Sequence, residues 1–311
     1  VSSSLDSATL EALVLHACEL EVLAFKPGNV SVDSPGHGMQ ADDFVQSARA
    51  IAGPICAPGI RVGRRVFDAV EATQAAVGCN TNLGIILLVA PLVEAALAAG
   101  ESRDLRARVS AVLNQLDLSD AQTVFAAIRR AQPGGLGSSP RHDVHQPARA
   151  SLLEIMTEAR DRDSIARAYA TGYVDVFLVG VPLVRSALER WQNERWALVA
   201  AYLGMLSQFP DTHICRKFGR QIAARVTREA VEVDRAFQSA SRPEQCLAEL
   251  QAFDQRLKRS GINPGTSADF SVASFLATRI EDQFTALRPI GALAGRSYTQ
   301  AGTRTPASFN H

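Results

Sequence analysis

The sequence predicts an all-α protein: a single compact multi-helix domain around a buried central helix near residues 82–98. Three observations predict it. Apolar residues recur three and four positions apart through successive segments, which is the spacing of a helix face. The run Leu83-Gly-Ile-Ile-Leu-Leu-Val-Ala-Pro-Leu92 has no polar face at all, so as a helix it is buried on every side. Finally, there is no internal repeat and no convincing β-hairpin pattern anywhere in the chain.

Residues 8–25 form the first expected helix, with Leu10, Leu13, Val14, Ala17, Leu20 and Ala24 on one stripe. Glu21 falls on that stripe, and an isolated carboxylate there is costly to bury. It needs a cation, and Lys26 or a metal ion would serve. Lys26-Pro27-Gly28-Asn29 must end the helix, because proline lacks a donor and restricts the residue before it. A Gly/Pro-rich loop follows through Gly36-His37-Gly38. Asp42 and Asp43 open the next helix, where two acids suit the positive dipole end, so capping explains them without any chemistry. A helix from about 60 to 77 stops at Gly78 and delivers the chain to Asn80-Thr81-Asn82, directly ahead of the apolar run. A buried helix that starts in a polar loop carries unsatisfied N–H donors into the interior, and such an end suits phosphate or carboxylate. An ordinary Asn/Thr-capped core helix would look the same.

Helical pattern continues to about Arg130 and breaks at Pro133-Gly134-Gly135-Leu136-Gly137-Ser138-Ser139-Pro140. This stretch lacks the Gly-Lys-Ser/Thr ending of a phosphate loop, so that assignment is rejected. The neighbouring His142 and His145 are expected to be solvated rather than ligating. Residues 151–190 return to helix; the apolar stretch 173–181 alone would also pass for a strand, but its neighbours argue for helix. Asp211 is placed as the N-cap of a long helix reaching about Phe237, with Arg216 one turn in. Asn263-Pro264-Gly265-Thr266-Ser267-Ala268-Asp269 precedes an apolar helix over 270–280, and Thr266 with Asp269 fits a capping box. Residues 291–311 are Gly/Ser/Thr-rich and read as a frayed tail behind a domain spanning 1–290.

The totals narrow the class. Lys+Arg and Asp+Glu balance at 32 each, so no global field favours nucleic acid or an anionic membrane. The five cysteines have no zinc-type spacing and fit a reducing compartment. The first residues lack a secretion signal and the apolar run is too short to span a bilayer, so a soluble cytoplasmic protein is expected.

Taken together, Glu21 with Lys26-Pro27-Gly28-Asn29, Asp42-Asp43-Phe44, Asn80-Thr81-Asn82-Leu83-Gly84, the stretch from Asp211 to Lys217, and that from Asn263 to Asp269 resemble the triphosphoribosyl-dephospho-CoA synthase family over about residues 10–280. The resemblance implies an all-α enzyme that uses ATP as a sugar donor, displaces adenine and joins the triphosphoribosyl group to a ribose hydroxyl of dephospho-CoA. Its partners would be small molecules, with a homodimer as a family-level expectation. Breaking an N-glycosidic bond develops positive charge at the anomeric carbon, which carboxylates stabilise while a base prepares the acceptor hydroxyl. A triphosphate calls for Mg²⁺ held by carboxylates, with cations and helix N-termini completing the cradle. The resemblance assigns Glu21, Asp43 and Asp211 to catalysis, and Glu21, Asp42, Asp43, Asp211 and Asp269 to Mg²⁺. Substrate binding falls to Lys26, Pro27, Gly28, Asn29, Asn80, Thr81, Asn82, Gly84, Arg216, Asn263, Gly265 and Thr266.

Two departures separate the chain from the lyase-associated members. Asn82-Leu83 stands where those members have His-Lys, and the double glycine after the arginine of the 211–217 motif is missing. The chain is more similar to a divergent branch of archaea and one-carbon-metabolising bacteria, so a different acceptor, such as a methanopterin-type pterin, is a second expectation. A Mg²⁺-dependent N-glycoside hydrolase and a non-catalytic helical scaffold are the readings from other classes.

Overall fold

The computed structural model describes residues 4–287 apart from 37, 39 and 101. The tail expected over 291–311 lies outside them. The described chain is helical and holds no strand, only an isolated bridge between Ser31 and Ser34. Its helices are α1 (Ser7–Leu23), α2 (Ala41–Cys56), α3 (Val62–Val77), α4 (Leu83–Leu97), α5 (Leu105–Leu113), α6 (Leu118–Ala131), α7 (Leu152–Ala159), α8 (Ser164–Thr171), α9 (Val181–Trp191), α10 (Glu194–Gln208), α11 (Thr212–Phe218), α12 (Arg220–Ser239), α13 (Leu247–Arg259) and α14 (Gly265–Ala286).

The buried central helix is α4, as its all-apolar sequence requires. Pro91 lies inside it and cannot donate to the carbonyl of Leu87. Tyr169 Oη takes that place, donating to Leu87 O at 2.7 Å, while Tyr173 Oη donates to Leu88 O at 3.0 Å. A buried carbonyl left without a donor costs about 1–3 kcal/mol, so Tyr169 makes the proline tolerable in the core.

A second helix, α14, shares the centre with α4 and packs against α1, α4, α9 and α10. It contains the apolar helix expected over 270–280, and its Ser271, Ser274 and Thr278 are buried too. Each hydroxyl donates back to a carbonyl of its own helix, to Ala268, Phe270 and Ser274 at 2.7, 2.7 and 2.9 Å, so none is orphaned by burial.

Two local expectations change. The helix expected from Asp211 to Phe237 is two helices, broken at Gly219 with φ 88°, where only glycine is at ease. The stretch 173–181 is helical as expected, with a π-helical turn, Val176–Gly180, running into α9. Gly180 abuts α14 so closely that a Cβ would meet Ser274 Oγ at 1.9 Å. The segment 151–190 is interrupted at Asp163, which caps α8, and at Gly172, which ends it. Among the described residues no single helix is long and apolar enough to cross a membrane.

Candidate active site

The helix starts expected to carry chemistry do meet. The first residues of α4, α11 and α14, with Asp163 ahead of α8, open on one cavity of about 920 Å³. Of the residues singled out in the sequence, Glu21, Asn29, Asn80, Thr81, Asn82, Gly84, Arg216, Asn263, Gly265 and Asp269 line it.

The Asn80–Gly84 corner is built by short polar contacts. Asn80 Oδ1 accepts from Leu83 N at 3.1 Å and so caps α4. The Thr81 and Ser47 hydroxyls meet at 2.6 Å, which ties this loop to α2. Asn82 is buried, and its Oδ1 accepts from Thr73 Oγ1 at 3.0 Å. Gly84 then leaves room for a side chain from far along the sequence, because an added Cβ would lie 2.0 Å from Asp269 Oδ2 and 2.5 Å from its Cγ. Gly84→Ala is therefore expected to destabilise by about 1–3 kcal/mol through overpacking, against the usual helix preference for alanine. Adding Asp269→Ala to it should return most of that loss. Chemical denaturation of both variants checks this, and a single Gly84→Ala variant as stable as the parent would show that the carboxyl does not pack there.

Asp269 is the unusual group. It is not the capping-box member expected from Thr266: α14 starts at Gly265, Thr266 is already its second residue, and no side chain caps the start. Among the described residues the Asp269 carboxyl makes no hydrogen bond or ion pair, yet it reaches the cavity and is half-buried. Burial pushes its pKa well above the usual carboxylate range, and the nearby charges of Glu21 and Asp211 push it the same way.

Glu21 has the partner its place on the stripe demands. Its Oε1 meets Lys26 Nζ at 3.0 Å, and both side chains are buried. Lys26 Nζ also donates to the carbonyls of Glu21 and Ala24, so it neutralises the negative end of α1 as well. Burial lowers the Lys26 pKa, and the Glu21 charge opposes that shift.

Lys26, Pro27 and Gly28 do not line the cavity; they fasten its floor. Pro27 O accepts from Tyr202 Oη. Gly28, with φ 81°, donates its N–H to Asp254 Oδ1 at 2.7 Å. An added Cβ there would meet Leu257 Cδ1 at 2.7 Å. Asn29 is the member of the motif that reaches the cavity. Its Nδ2 donates to Asn263 Oδ1 at 2.9 Å, and its own Oδ1 is buried with no partner among the described residues.

The carboxylate set is smaller than expected. Asp42 is exposed and bonds Gln46, while Asp43 accepts from Gln40 N at 2.9 Å in a capping box of α2. Asp211 lies behind the cavity wall. Its Oδ1 accepts from His213 N and Ile214 N at 2.9 and 3.1 Å, and its Oδ2 from Ser267 N and Ser267 Oγ, each at 2.8 Å. With four protein donors it clamps the starts of α11 and α14 together rather than facing a substrate. Burial raises its pKa and those hydrogen bonds oppose the rise. Thr266 is likewise turned inward, with Oγ1 accepting from His213 N at 3.1 Å. Only Glu21 and Asp269 of the five expected metal ligands reach the cavity, and no group of three or more His, Cys, Asp or Glu among the described residues could hold a metal ion.

The lining also includes residues to which the sequence assigned no role: most of the glycine-rich stretch 133–139, His142, Asp143, Arg162, Asp163 and Lys217. Arg216 is held there by Asp163 Oδ2 at 2.8 Å. His142 lines the cavity with Nε2 3.5 Å from Glu158 Oε2, whereas His145 is exposed, as expected. The signals were the glycines and the His142 motif, and the missing Lys-Ser/Thr ending concealed them.

An all-helical body that brings several helix starts, four acids and several cations to one cavity has the makings of a nucleotide-using transferase. Residues 7–287 match the CitG family, described as ATP:dephospho-CoA triphosphoribosyl transferase, and the chain belongs to that family. It is accordingly an enzyme of the transferase class. No curated protein matches the chain significantly in sequence. Among solved structures it is similar to a protein of Archaeoglobus fulgidus described as a candidate triphosphoribosyl-dephospho-CoA synthase, with 25% identity and a TM-score of 0.59, covering 77% of this chain and 98% of that one.

Proposed function

We propose that the protein transfers the triphosphoribosyl group of ATP to a hydroxyl of dephospho-CoA and releases adenine. The observation that carries this is the Asp269 carboxyl, unpartnered among the described residues and with its pKa raised by burial, beside the ion-paired Glu21 in a nucleotide-sized cavity. Two carboxyl groups in environments this different suit complementary roles. Glu21 would face the positive charge that develops at the anomeric carbon. Asp269 would give its proton to a ring nitrogen of the departing adenine and then take up the proton of the acceptor hydroxyl, which restores its resting state. The unpartnered Asn29 Oδ1 suits a donor on the sugar or base, and Asn80 and Thr81 offer neutral contacts.

A metal held by one or two carboxylates and completed by substrate phosphates and water fits these residues, whereas an all-protein cage does not. Glu21, whose Oε2 makes no hydrogen bond among the described residues, would hold Mg²⁺. When bound, the ion would offset the negative charge of the triphosphate.

Incubation with ATP, Mg²⁺ and dephospho-CoA, followed by chromatography and mass spectrometry, is expected to yield free adenine and a dephospho-CoA heavier by one triphosphoribosyl group. Formation of ADP or AMP without adenine would overturn the reading.

A second reading keeps the donor and changes the acceptor. Asn82 and Leu83 are both neutral and buried where the lyase-associated members carry a basic pair, so this wall offers no charge to an anionic acceptor. Adenine release with a pterin-containing extract, but not with dephospho-CoA, would favour it. Release with no acceptor at all would mark a hydrolase.

A further inference from the structure

One stretch of the cavity lining has the features of a polyanion site. Between Pro133 and Ser139 the chain turns through Gly135 and Gly137 at φ 76° and 65°, and the N–H groups of residues 134–138 make no hydrogen bond among the described residues. Successive free N–H groups on such a turn form an anion-binding concavity. Lys217 lies along the outside of the turn: a Cβ on Gly134 would be 3.4 Å from its Cε and 3.8 Å from its Nζ. Arg162 reaches the other end, with Nη2 donating to Ser139 Oγ at 3.1 Å. Neither Arg162 nor Lys217 has a carboxylate partner among the described residues, whereas Arg216 beside them is paired with Asp163. Two cations without a carboxylate partner thus lie beside a glycine turn, while the acids of the same stretch of lining are engaged, Asp143 by Ser139 N and Asp163 by Arg216.

We propose that a polyphosphate chain binds between the Gly134–Ser139 turn and the side chains of Arg162 and Lys217, which would orient a nucleotide with its sugar toward Asp269. This rests on the proposed nucleotide substrate for its orientation, but the anion subsite can be tested without turnover. The glycine turn needs no Lys-Ser/Thr ending here, because α11 supplies the lysine from a distant part of the chain.

Calorimetric titration of inorganic tripolyphosphate into the full chain tests the subsite. Binding is expected, with a steep loss as salt rises. Arg162→Ala and Lys217→Ala should each weaken it about tenfold, the scale of one charge-assisted hydrogen bond. Arg235→Ala, on α12 and outside the cavity, should bind like the parent, and thermal melts should show all three folded, since these side chains are exposed. Absence of tripolyphosphate binding would overturn the proposal, as would cavity variants that bind like the parent, or an Arg235→Ala variant that loses as much as they do. The two readings fail separately. Charge-dependent binding without adenine release removes the proposed activity alone, and adenine release with binding indifferent to Arg162 and Lys217 removes the subsite alone.

Discussion

Asp269→Asn is expected to lower adenine release by about 10²- to 10⁴-fold, the usual contribution of a proton-transferring group, while making the folded protein more stable at neutral pH. The two effects have one cause. The carboxyl is half-buried against Gly84, without a protein partner among the described residues and near other acids, so its ionised form is penalised in the folded state. The folded pKa lies above the ordinary value of 3.8. Between those two values the folded protein keeps a proton that the unfolded chain has released, so stability falls as pH climbs through that window. Asparagine fills nearly the same volume and never ionises. The variant should melt higher than the parent at pH 7–8, and the difference should vanish below about pH 4. Thermal melts across pH, run beside the adenine assay, decide it. A variant that is inactive and less stable at every pH would make Asp269 a structural residue, and full activity would remove it from the site.

The fold was legible in the sequence because its signals are local. The helix spacing, the featureless apolar face of α4 and the stop at Gly78 depend on neighbours within a turn or two. Glu21 was legible for the same reason: a carboxylate on an apolar stripe demands a cation, and Lys26 is one turn on. Capping arguments divided according to where the helix begins. Asp43 caps α2 as expected and Asp42 lies in the same first turn, whereas Asp269 caps nothing, because α14 already begins at Gly265, one residue before the Thr266 taken for its cap; its actual surroundings are Gly84 and Glu21, brought in by other helices. Asp211 shows the converse, a motif acid whose four donors come from α11 and from the start of α14. Helix α13 has no counterpart among the expected elements. Its buried stripe of Leu250, Phe253 and Leu257 includes Asp254, whose partners Gly28 and Ser34 lie far back in the chain. The cationic wall was hidden for the same reason, since a turn at 133–139 and a lysine at 217 become one feature only after folding.

Lys26→Met is expected to give the largest loss of stability. It removes the only cation bonded to the buried Glu21 carboxylate among the described residues, and it takes a donor from the carbonyls of Glu21 and Ala24 at the end of α1. Breaking a buried pair from one side costs about 3–5 kcal/mol, a large part of the 5–15 kcal/mol that holds a typical domain together. For a chain of this size the melting temperature should drop by about 5–8 °C. Replacing both partners, as in Glu21→Gln with Lys26→Met, leaves no stranded charge and should recover most of that drop, because buried ion pairs exchanged for neutral groups are often nearly neutral in stability. Activity should separate from stability in the same pair of proteins. The double variant would melt near the parent but still fail to release adenine, since the carboxylate proposed to face the anomeric carbon is gone. Recovery of both properties would reduce Glu21 to a structural partner of Lys26, and a Lys26→Met variant that melts like the parent would mean that the buried pair does not form.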